Sequence, residues 1–180
     1  MMNIDKKLFA KLFLLFIPVS YASYLIHEFG HWIIGEALGN NMVYSLNNVW
    51  PKGGHYIDAG HEVFVIIGGP VFTIFLSIFF LLIIEKYRTI YAYPIVFFQI
   101  FFRLFSLVCG GFSKQDESRI SAILNLGTYT VAIIVLLLLF LIVLKASKKL
   151  SINLKDNSYF LILSTLGALL VIATYGITSK

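Results

Sequence analysis

Tyr24-Leu25-Ile26-His27-Glu28-Phe29-Gly30-His31-Trp32-Ile33-Ile34 is an HExxH motif set inside an apolar run, Leu8 to Leu38, rather than in a polar domain. A hydrocarbon core roughly 30 Å thick needs about 20 helical residues to cross, so this run is long enough to be a membrane span. Residues i and i+4 share one face of an α-helix, which lets the imidazoles of His27 and His31 converge on a single metal ion. Glu28 projects beside them, where hydrolases using this pattern employ the glutamate as a general base toward water and not as a ligand. Ionisable groups at membrane depth are costly and mark function. The competing explanation is two histidines hydrogen-bonded to neighbouring helices, with Glu28 as their counter-charge.

The rest of the chain fits that setting. Of 180 residues, 59% are hydrophobic and 13% charged, an apolar share above that of soluble domains. Windowed hydropathy gives about five spans, at Leu8 to Leu38, Val63 to Ile84, Thr89 to Cys109, Ile120 to Leu144 and Tyr159 to Ile177. The expected fold is therefore an all-α membrane protein, one polytopic domain over residues 1–180, with a catalytic core at about 8–125 and two C-terminal helices at about 120–177. Little chain remains for a separate soluble domain.

The net charge of +5 is that of a basic protein, yet nothing in the sequence resembles a nucleic-acid module. In a membrane protein such charges set orientation instead. Lys6, Lys7, Lys11, Lys86, Arg88, Lys145, Lys148, Lys149 and Lys155 share one side under this topology, against Lys52, Lys114, Arg119 and Lys180 on the other. That bias predicts a cytoplasmic N-terminus and an external C-terminus, with the metal site toward the outer face. Arg103 lies within the third helix. Cys109 is the sole cysteine, so no intrachain disulfide forms. The opening, with lysines before an apolar stretch and Ser20-Tyr21-Ala22 as a small-x-small pattern, reads as an uncleaved anchor because the apolar run continues past Ala22.

Between the first two spans, β-prone runs flank Pro51-Lys52-Gly53-Gly54 and read as a short hairpin: Val43, Tyr44, Leu46, Val49 and Trp50 before the turn, His55, Tyr56 and Ile57 after it. A hairpin edge beside a metal site suits an extended peptide, by strand addition; an ordinary outer loop is the alternative. Pro18 is expected to kink the first helix, and Gly39-Asn40-Asn41 to end it. In the second span, Gly68-Gly69-Pro70 allows close helix approach, and Gly69 and Pro70 fall at about the depth of the histidines, as possible cavity contacts.

A catalytic zinc has three protein ligands plus water, so two histidines leave one place to fill. The third should be a carboxylate or histidine on the same side. Asp116, in Lys114-Gln115-Asp116-Glu117-Ser118-Arg119-Ile120, is the leading candidate, with Glu62, His61 and Asp58 as competitors and Glu36 and His55 on the same side. Asp116-Glu117 also suits the acidic start of a helix, and Arg119 can pair with those carboxylates. His55, His61 and Asn125 are the candidates for contacting substrate or stabilising an oxyanion.

These residues resemble the site-2 protease family of intramembrane zinc metalloproteases, in its small form without PDZ or CBS domains. HEFGH at His27 to His31 is similar to the family's first-helix motif, Gly69-Pro70 to the Gly-Pro of its next helix, and Asp116-Glu117-Ser118-Arg119-Ile120 to the Asp-Gly-x-Arg-Ile that supplies its aspartate ligand. Together they span about residues 20–125. The chain departs from the pattern at Val108-Cys109-Gly110-Gly111, where the family carries an Asn and a Pro, and at Glu117, which stands where the family has glycine. Many members also place the catalytic centre toward the cytoplasm. The resemblance implies Zn2+ on His27, His31 and Asp116, Glu28 as general base, and hydrolysis of transmembrane protein or peptide substrates within the lipid bilayer. An inactive zinc-binding relative that binds membrane helices and a small metal-ion carrier are the alternatives.

Overall fold

A computed structural model describes residues 6–178. Its elements are α1 (Lys6–Ala37), a hairpin of β1 (Met42–Ser45) and β2 (Asn48–Pro51), α2 (His61–Tyr87), α3 (Tyr93–Cys109), α4 (Asp116–Ile123), α5 (Thr130–Leu150) and α6 (Leu154–Thr178). Five of these helices, all but the short α4, are long and apolar enough to cross a membrane. The fold is thus the expected all-α multi-pass membrane protein with a hairpin between its first two helices. Lys180, counted in the charge bias, lies outside the described residues.

Small residues decide how α1 meets α2. A Cβ built on Gly30 would run into the Gly68 carbonyl, and one on Gly68 into the Gly30 carbonyl, so the two backbones touch at the level of the HExxH motif. Without a hydrophobic driving force between helices in lipid, such backbone contact is a main source of association. Gly167 of α6 makes room for the Ser20 side chain of α1. Below the motif an aromatic and aliphatic core fills the bundle, with Phe16, Tyr93, Val96, Phe98 and Phe160 all nearly inaccessible. Outward faces carry Phe75, Leu82, Ile133, Leu137, Leu161 and Leu166, side chains suited to lipid.

Two local expectations need correction. The hairpin turns at Leu46-Asn47, not at Pro51-Lys52-Gly53-Gly54, and pairs Val43 with Trp50 and Tyr44 with Val49. The Ser45 hydroxyl donates to the Asn48 carbonyl at 2.7 Å across that turn, while His55, Tyr56 and Ile57 lie beyond the sheet. The fourth span begins at Thr130 and not at Ile120, because residues 120–123 close α4 instead. Asn125 adopts a left-handed φ of 53°, which breaks the helix, and the Ser121 hydroxyl accepts from the Val131 amide to hold the start of α5 against α4. α4 thus becomes a separate short helix that brings its N-terminal carboxylates back over α1.

Candidate metal centre

Three elements assemble the centre. α1 supplies His27, Glu28 and His31 from one buried polar turn of an otherwise apolar helix, α4 supplies Asp116 at its first position, and α2 backs both imidazoles. His27 Nε2 lies 3.0 Å from Asp116 Oδ2, His31 Nε2 3.5 Å from the same oxygen, and the two Nε2 atoms 3.3 Å from each other. Sequence reasoning left the third group open between Asp116 and three competitors. The structure brings Asp116 to both histidines and takes the others elsewhere: Glu62 pairs with Arg119 at 2.8 Å, His61 bonds the Asn40 amide, and Asp58 accepts from the Gly60 amide. Glu36 accepts from the Met42 amide at 2.7 Å.

Hydrogen bonding fixes which nitrogens face inward. His31 Nδ1 lies 2.8 Å from the Val65 carbonyl, an oxygen that only accepts, so this nitrogen carries the proton and Nε2 keeps its lone pair. The Gly69 amide also approaches Nδ1, at 3.3 Å, but the shorter contact sets the tautomer. His27 Nδ1 lies 2.9 Å from the Thr73 hydroxyl, while its Nε2 faces Asp116 Oδ2 at 3.0 Å and Arg103 Nη1 at 3.2 Å. Outer partners of this kind orient imidazole ligands in metal sites.

His27 Nε2, His31 Nε2 and Asp116 Oδ2 lie within 3.5 Å of one another, and each is an atom that can give an electron pair to a cation. Their spacing suits zinc: tetrahedral bonds of about 2.0–2.1 Å set neighbouring ligand atoms about 3.3–3.4 Å apart. The observed 3.0, 3.3 and 3.5 Å bracket that value. A Cβ at Gly69 would meet His31 Nε2 and both Cε1 and Nε2 of His27, so glycine is what lets the pair of rings sit there. Burial by itself would raise the pKa of the Asp116 carboxyl, but the Arg103 guanidinium at 3.3 Å favours its ionised form. It is therefore an ionised donor. On these grounds His27, His31 and Asp116 fit a divalent zinc ion.

No protein-family model, curated protein or solved structure matches this chain. The centre is consequently read from its own atoms.

Those atoms open on a cavity of about 470 Å³. His27, Glu28 and His31 line it together with Asp116, Arg103 and the hairpin residues Asn48 and Val49. Among the described residues none hydrogen-bonds the Glu28 carboxylate, which leaves it available to a molecule in the cavity. Gly69 lies behind the imidazoles, and neither it nor Pro70 is in the cavity wall; His55 is exposed and contacts the Gly53 carbonyl, and His61 and Asn125 also lie away from the cavity.

One charged pair was not anticipated. Arg103, 2% exposed, bonds Glu117 through Nε at 2.8 Å and through Nη2, and Nη2 also reaches Asp116 Oδ2 at 3.3 Å. Glu117 is fully buried. An arginine in the middle of an apolar helix demands a carboxylate partner, and Asp116 and Glu117 are the next acids along the chain. That signal was present in the sequence. Arg119, expected to pair with these carboxylates, turns to Glu62 instead because α4 points it outward.

Proposed function

We propose that this protein is an intramembrane zinc metalloprotease that hydrolyses peptide bonds of membrane-embedded protein substrates. The observation that carries the reading is the convergence of His27 Nε2, His31 Nε2 and Asp116 Oδ2 at one wall of a cavity that also holds the Glu28 carboxylate, which no described residue hydrogen-bonds. Zinc held by His27, His31 and Asp116 would supply Lewis acidity toward the scissile carbonyl and toward water. Glu28 takes one proton from the attacking water as its oxygen bonds to the scissile carbonyl carbon. It then returns that proton to the leaving amide nitrogen as the C–N bond breaks, releasing one new carboxyl and one new amino terminus. Thr73 and the Val65 carbonyl hold the imidazoles through their Nδ1 atoms throughout.

A substrate helix has to open locally, since its peptide groups are otherwise occupied by their own hydrogen bonds. Asn48 and Val49 of β2 line the cavity, which favours docking of the opened segment as an extended strand. The positive-charge bias supports a cytoplasmic N-terminus with the cavity toward the outer face. An ion carrier is less well supported. Tyr24, Phe98 and Phe102 pack under His27, so a cation leaving the site toward the other membrane face meets an aromatic floor. The test is Glu28→Gln in the purified, zinc-loaded full chain, assayed with a panel of single-span reporter helices in detergent. The variant should retain zinc and lose cleavage; turnover at the wild-type rate would reject the role given to Glu28.

A further inference from the structure

Arg103 is oriented in a way the ion pair with Glu117 does not explain. Its guanidinium has five N–H groups in a fixed fork. Nε and one Nη2 hydrogen serve Glu117, and the other Nη2 hydrogen serves Asp116. Nη1 needs no part in either pair, yet it reaches across from α3 to α1 and donates to His27 Nε2 at 3.2 Å. That lone pair can accept the Nη1 hydrogen or ligate a cation, and it cannot do both. A metal on that lone pair would stand about 2.0–2.1 Å from Nε2, so Nη1 would lose its acceptor and turn off that axis toward the cavity while Glu117 holds Nε and Nη2. Both Nη1 hydrogens are then free at the cavity wall beside the ligand atoms.

We propose that Arg103 is a catalytic residue whose Nη1 donates to the scissile carbonyl oxygen as negative charge develops on it. The proposal rests on the hydrolase reading above and assigns the oxyanion partner that reading lacks. Three observations support it. Arg103 lines the cavity although it is almost wholly buried. Its orientation is set by a buried carboxylate, which is how a donor is preorganised before charge appears. Finally, His55, His61 and Asn125, the oxyanion candidates from the sequence, all lie outside the cavity wall. Glu117, by contrast, is a positioning residue: it holds the guanidinium and does not face the substrate.

Removing Arg103 alone would strand the Glu117 charge, so the comparison is between Glu117→Gln and the double variant Arg103→Gln with Glu117→Gln, both in the full zinc-loaded chain. Two probes are titrated by calorimetry. One is a phosphinic pseudo-tripeptide with apolar side chains, which presents an anionic oxygen where the carbonyl oxygen would be. The other, mercaptoacetyl-leucine, binds zinc through sulfur and presents no such oxygen there. Adding the arginine substitution to Glu117→Gln should weaken the phosphinate by about tenfold or more while thiol affinity stays within roughly threefold. Equal loss of both probes, or loss of neither, would overturn the assignment. If the double variant does not hold one zinc per chain, Arg103→Lys decides in the same way, because a single ammonium cannot bond Glu117 and the cavity oxygen together. Zinc-loaded wild type that binds neither probe would instead defeat the hydrolase reading, and the role of Arg103 with it.

Discussion

Replacing Gly69 by alanine tests the ligand geometry without touching a ligand. A Cβ at this position would stand 2.5 Å from His27 Cε1 and 2.6 Å from His27 Nε2, and would press on His31 Nε2 as well. Ordinary van der Waals contact begins near 3.4 Å, so the His27 ring has to retreat by about 0.9 Å, the difference between 3.4 and the 2.5 Å to its nearest atom, Cε1. Metal–ligand bonds tolerate roughly 0.2 Å, and disturbances of the groups that orient ligands cost about 10- to 100-fold in affinity. Zinc affinity of Gly69→Ala should therefore fall by on the order of 10- to 100-fold. Folding should survive: alanine in a helix gains up to about 1 kcal/mol over glycine, against an overpacking cost of about 1–3 kcal/mol. Competition against a fluorescent chelator measures the affinity, with Gly176→Ala as control because nothing lies within 4 Å of a Cβ there. Wild-type zinc affinity in Gly69→Ala would refute the placement of the imidazoles.

Other substitutions probe separate parts of the centre. Thr73→Val removes the oxygen that His27 Nδ1 contacts at 2.9 Å, and should lower zinc affinity by about 10- to 100-fold in the same chelator assay. Glu62→Gln breaks only a pair whose two side chains are each 42% exposed, so thermal unfolding should register a change below about 1 kcal/mol and zinc content none. Glu117→Ala leaves the Arg103 charge without its main partner in the core, and should destabilise the chain by about 3–5 kcal/mol in denaturant titration. Cys109 is exposed, lines the cavity and is the sole thiol, so a membrane-impermeant maleimide should label intact cells at one position if the cavity faces outward. Labelling only after the cells are opened would invert the orientation.

Much of this architecture was legible in the sequence. The spans followed from apolar length, and the His27–His31 pair from helical periodicity inside one of them. Asp116 was reachable as a same-side carboxylate, but its choice over Glu62, His61 and Asp58 depended on α4, a short helix hidden in hydropathy. Leu124 and Leu126 flank Asn125 and blur the break, which the left-handed backbone at Asn125 makes plain. The hairpin was found with the wrong turn because Pro51-Lys52-Gly53-Gly54 is the stronger local turn signal. In the fold Pro51 ends β2 opposite Met42, and the chain reverses at Leu46-Asn47, where only Asn47 favours a turn. Arg103 announced a buried partner by its cost, yet its reach to His27 arises from how α3 packs on α1, which no local pattern encodes.

Metal analysis of the purified full chain beside His27→Ala and Asp116→Ala is the most direct test. One zinc per wild-type chain, lost in both variants, is the result expected if two segments far apart in sequence close on one ion. Wild type that takes up no zinc, or an Asp116→Ala protein that retains it at full stoichiometry, would contradict the centre described here.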